Sequence, residues 1–172
     1  METLYDDEMP VHYGFINLLP ADEEPGDLLL ARKGQQNGLC GTRIAHQVAL
    51  VTGLHTGEVR LRVEWSHVEP AIPDDWEDVV EASVELVSAE MSLQSFEDFY
   101  DIRVPRAGWH RVRFLCSGMD QGKELDTTDE CDEAPDRYLL QLWPAPEAPD
   151  ALVRQSSGIA AYWHGVAQGH SD

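Results

Sequence analysis

The chain has 172 residues, 12 of them basic and 32 acidic, for a formal net charge of −20. That length argues for one domain, 1–172, able to bury a core without disulfide or metal staples. An apolar fraction of 42% excludes a wholly disordered chain. The charge excludes nucleic acid as a direct ligand, because phosphate binding is driven by Lys and Arg, and no apolar run is long enough to span a bilayer.

In chain order, residues 1–10 read as a loosely ordered or edge segment. They are acidic and lack the cationic and apolar stretches of a secretory signal. Residues 11–19 alternate in a mostly period-two pattern and predict a strand. Residues 20–26 are a loop by composition, and residues 28–30 open a possible second strand. Asn37-Gly38 is a turn signal. Residues 48–51 and 59–65 predict a hairpin. In its second arm Val59, Leu61, Val63 and Trp65 alternate with Arg60, Arg62 and Glu64, giving a half-buried strand with a cationic outer face.

Residues 76–87 fit a strand or a helix. Their density of Val favours the strand, because β-branched side chains lose χ1 freedom in helices. Residues 91–96 and 99–104 predict short strands, and residues 109–116 and 137–143 predict strong ones. Residues 118–135 read as a long, mobile acidic loop. Residues 150–156 are assigned one helical turn, and 165–172 a loosely ordered tail. About seven to nine short strands with turns between them predict an all-β chain. The expected architecture is a two-sheet antiparallel β-sandwich, with an open barrel as the alternative.

Three stretches carry a family resemblance. They are Trp76-Glu77-Asp78-Val79-Val80-Glu81, Ala107-Gly108-Trp109-His110-Arg111-Val112-Arg113 and Arg137-Tyr138-Leu139-Leu140-Gln141-Leu142-Trp143-Pro144. In this order they resemble a set of uncharacterised bacterial proteins and, more distantly, the competence-J family of nuclease inhibitors. The resemblance covers residues 76–144. It implies a cytoplasmic β-sandwich that binds another protein, and it marks no contact residue.

The acids fall in blocks. Residues 1–31, 63–102 and 120–136 together hold 28 of the 32. Such charge serves solubility in many proteins; here it also suits a basic partner, because complementary charge speeds encounter and selects the partner. Same-side residues on a strand lie about 6.6 Å apart, close enough to the phosphate repeat for an acidic strand to occupy a phosphate-binding cleft. The candidate contacts are Glu77, Glu81 and Glu85, with Asp129, Glu130, Asp132 and Glu133 in the acidic loop. The expected function is a non-enzymatic inhibitor or immunity module that blocks a basic nuclease or toxin.

A small-ligand or carbohydrate-binding sandwich using exposed tryptophans is the alternative, and a hydrolase without a recognisable motif is a third reading. No cofactor is implied. The seven histidines show no metal-ligand spacing. The acidic loop lacks the register and sharp-turn glycine of a calcium loop. Cys40, Cys116 and Cys131 show no C-x-x-C pair and read as reduced cytoplasmic thiols. Cys40, flanked by glycines, is the one candidate nucleophile among them.

Overall fold

The computed structural model, which describes residues 1–170, is built mostly of strands. In chain order the strands are β1 Glu2–His12, β2 Phe15–Pro20, β3 Cys40–Gly41, β4 Val48–Val51, β5 Thr56–Trp65, β6 Asp78–Leu86, β7 Glu90–Ser95, β8 Asp98–Arg103 and β9 Gly108–Ser117. Helix α1, Met119–Leu125, follows. Then come β10 Arg137–Pro144, β11 Ala151–Arg154 and helix α2, Gly158–Ala167. The fold is all-β with a short C-terminal helix.

Hydrogen bonds join all eleven strands into one open sheet rather than two separate ones. Its order is β11-β6-β9-β10-β5-β1-β2-β4-β3, with β7 on β2 and β8 on β7. Every ladder is antiparallel except β5 with β10, which runs parallel from Arg60↔Arg137 to Trp65↔Leu142. Strand β2 has β4 along one edge, while β1 and then β7 share the other, so the sheet branches there. The sheet bends over one interior. Met9, Ile16, Leu50, Leu61, Phe114 and Leu140 meet in it from six different strands.

Several expectations change. Residues 1–10 are not loose: β1 pairs with β5 along its whole length, from Glu2↔Trp65 to His12↔Thr56. Met9 and Val11 are buried, and the ladder closes the β5 edge opposite β10. The two arms of the expected 48–65 hairpin do not pair. Strand β4 lies between β2 and β3, and β5 lies between β1 and β10. Residues 28–30 end in a 3-10 turn, Leu30–Arg32, not a strand. Residues 151–154 form β11 on β6 instead of a helical turn.

The helix starts later, where Ser157 Oγ accepts the Ala160 amide at 3.0 Å. Asp120 accepts the amides of Gly158 and Ile159, placing a carboxylate at the helix's positive end. Helix α2 continues through residues 165–167, which were expected to fray; of that tail, residues 171–172 lie outside the described part.

Strands β6, β9 and β10 are covered on both faces. On the outer face Trp76, Val79, Leu115 and Leu139 form a second small apolar cluster with Ile72. Full burial of such a side chain contributes about 1.5–3 kcal/mol, so the segment that crosses this face is held firmly.

Candidate functional site

The outward face of β6 carries Glu81, Ser83 and Glu85 in strand alternation, with Glu77 just before the strand. The structure does not bring the three glutamates together as one solvent-facing stripe. Glu81 is only 14% exposed at its side chain. Its carboxylate takes the Arg111 Nε at 3.3 Å and the Arg113 Nε at 3.0 Å. Arg113 is wholly buried. It also donates to the Pro70 carbonyl, to Gln141 and to Glu69, and its guanidinium lies 4.8 Å from the Trp143 ring.

Arg111 in turn donates to Ser83 and to the carbonyls of Ala148 and Pro149. Two distant segments, around residues 69–76 and 144–150, thus fold over this face and spend Glu81 on internal charge. Glu77 is half-buried against the Gly118 amide, at 3.4 Å. Glu85 alone is exposed, on the wall of a cleft of about 520 Å³ with Arg43, His46, Trp109 and Glu147.

The acidic loop is different. Asp129, Glu130, Asp132 and Glu133 are all exposed, and none forms an ion pair among the described residues. Residues 119–125, expected as loop, form α1. At the far end Asp136 is buried and accepts the Leu54 amide at 2.9 Å and the Tyr138 hydroxyl, which itself accepts the Gly53 amide at 2.8 Å. Burial pushes the Asp136 carboxyl up, with those hydrogen bonds opposing.

Between its anchors the loop runs along the start of β5. The His55 and Thr56 amides donate to the Asp126 carbonyl, and the Thr128 amide donates to the Thr56 carbonyl. This brings the loop to the outer side of β1 and β5. Partial burial raises the Glu8 carboxyl; Arg60 opposes the rise, while Glu58, Glu133 and Asp7 add to it. Glu133 is thus near enough to Glu8 to act on its charge, on a face that also carries Arg60. Sequence reading missed Glu8 and Glu58, because only the β1–β5 register places them beside the loop. The acidic character of residues 1–10 was the available signal.

Cys40 and Cys116 are buried, and burial pushes the Cys40 thiol up to about 12 and raises that of Cys116; Cys131 is exposed, and all three thiols are free. Among the described residues no group of His, Cys, Asp and Glu is placed to hold a metal. Trp65, Trp76 and Trp143 are buried, Trp109 lies on the Glu85 cleft, and half-buried Trp163 lines another cleft. No described helix is long and apolar enough to cross a membrane.

Two solved proteins are similar to this chain in fold. The protein of crocagin biosynthetic gene J matches with a TM-score of 0.56 at 15% identity, over 84% of this chain and 98% of its own. ComJ of Bacillus subtilis, an inhibitor of the DNA degrading activity of NucA, matches with a TM-score of 0.56 at 11% identity over the same shares. At these identities the likeness is one of fold. No protein-family model and no curated protein sequence matches the chain.

Proposed function

We propose that this protein is an inhibitor-type binding module without catalysis of its own. Its anionic surface, formed by loop residues 126–133 with Glu8 and Glu58, covers the basic cleft of a protein partner such as a nuclease or toxin, in the cytoplasm. The observation that carries this reading is the exposure of Asp129, Glu130, Asp132 and Glu133, none of which forms an ion pair among the described residues. The mechanism is steric and electrostatic. The loop's carboxylates replace the phosphates such a cleft would hold, and like-charged groups on any acidic competitor are repelled. ComJ, which shares the fold, inhibits a DNA-degrading protein, and this supports the same class of role.

The test is to capture partners from the native host and to join carboxylates to neighbouring lysines with a zero-length cross-linker. Cross-links from residues 129–133 to a basic partner, together with suppression of that partner's activity, are expected. Cross-links confined to the Glu85 cleft would contradict the assignment of this surface.

A further inference from the structure

Two hairpin tips hold strained backbone without burying the side chain that bears it. Tyr13, between β1 and β2, has φ +59°, and Phe96, between β7 and β8, has φ +48°. A left-handed conformation costs a residue with a Cβ about 1–2 kcal/mol, and glycine or asparagine occupies such turns more readily. Yet the two rings stand 59% and 70% exposed. Local preference and core packing both argue against large aromatics here.

The rings are not isolated. His12 lies 4.6 Å from Tyr13 and 4.7 Å from Phe96, and Tyr13 lies 5.0 Å from His55. Three separate segments therefore build one aromatic patch. It opens into a cleft of about 460 Å³ walled by Tyr13, Phe15, Tyr162 and Trp163, with Lys123 on the same wall.

On the sides of Phe96 and of Asp126 the patch is flanked by acids. Exposed Glu97 and Asp98 follow Phe96, and the acidic loop leaves from Asp126, which is hydrogen-bonded to the His55 and Thr56 amides. Elsewhere the chain seats its own guanidinium groups over rings: Arg32 on Trp163 at 5.4 Å, Arg113 on Trp143 at 4.8 Å and Arg137 on Trp76 at 4.0 Å. Among the described residues no cation lies over Tyr13 or Phe96.

We propose that Tyr13 and Phe96, with His12 and His55 between them, anchor the interface by receiving arginine side chains of the basic protein partner on their faces. The proposal rests on the reading of a basic partner given above and names the residues that grip it. A cation over an aromatic face is held more strongly as the pair is desolvated, and Tyr and Arg are enriched among the residues that dominate interfaces. The neighbouring carboxylates hold the same guanidinium groups from the side.

The test is a low-salt NMR titration of the labelled protein with an arginine-rich peptide and with its lysine counterpart. Ring signals of Tyr13, Phe96, His12 and His55 are expected to shift together with the loop amides, and arginine is expected to bind more tightly than lysine. The double variant Tyr13→Gly, Phe96→Gly is expected to bind about tenfold more weakly and to melt higher, because glycine relieves both turns. Tyr13→Leu with Phe96→Leu keeps apolar bulk and strain but removes the π faces, and should also weaken binding. Shifts confined to the acidic loop, or unchanged affinity in either double variant, overturn the aromatic anchor and leave the basic-partner reading standing. No response of rings or loop to either peptide overturns both.

Discussion

Glu81 shows how a single carboxylate changes meaning once its surroundings are known. By alternation it belongs to the solvent face of β6. In the fold it is the shared anion of Arg111 and Arg113, the latter wholly buried. Removing one member of a buried pair leaves an uncompensated charge and costs about 3–5 kcal/mol, less here because Glu69 still reaches Arg113. Glu81→Gln should therefore lower stability by about 2 kcal/mol, whereas Glu85→Gln should stay within about 0.5 kcal/mol. Urea unfolding of the two variants checks this; equal midpoints would contradict the network.

Two histidines make a second prediction at this scale. His164 Nδ1 accepts the Gly38 amide at 3.0 Å, and burial lowers its pKa, with Asp78 and Asp150 opposing. Burial also lowers that of His110, against the Gly108 carbonyl. A depressed folded value means the stabilising contribution is complete above the ordinary histidine value, about 6.5, and is lost as pH falls below it. The raised carboxyls of Asp136 and Glu8 act in the opposite sense, but in the carboxylate range. The melting temperature should thus fall between about pH 7 and pH 5. His164→Asn, which keeps an acceptor near Nδ1, should flatten that slope, and an unchanged slope would contradict the assignment.

At the scale of elements, β1 is the most consequential difference between sequence and structure. Its first residues are acidic and show no apolar period until Met9 and Val11, so nothing local marks a strand. Its partner supplies the reason. The outward Arg60 and Arg62 of β5 meet Asp6, and β1 satisfies an edge that would otherwise be open. Native-state hydrogen exchange should find the amides of β1 that face β5 as protected as those of β5 itself, while residues 129–133 exchange freely in the unbound protein. Fast exchange along β1 would contradict the ladder.

Strand β5 was legible from its alternation, β9 and β10 from apolar-rich runs bounded by turns, while β6 fitted strand or helix and only its density of Val favoured the strand. Strand β11 has four residues and no period to read. The covering of the β6 face was also illegible, because it is decided by segments far away in sequence. The acidic loop was visible from composition alone, but its continuation onto Glu8 and Glu58 depends on a strand that composition hid.

Over the whole molecule the −20 charge is not evenly available. Arg60, Arg62, Arg103, Arg111, Arg113 and Arg137 are all engaged by the chain's own carboxylates, and the loop's acids are left to solvent. Self-repulsion of this kind opposes compactness. Neutralising the loop with Asp129→Asn, Glu130→Gln, Asp132→Asn and Glu133→Gln should consequently leave the melting temperature unchanged or higher. Its effect belongs on encounter with the partner. The most direct measurement is the association rate constant of the captured basic partner with the wild-type chain and with this variant, as a function of ionic strength. The wild type should associate about tenfold or more faster at low salt and lose that advantage as salt rises, while the variant responds weakly to salt. Equal rates and equal salt slopes would show that the anionic surface does not meet the partner.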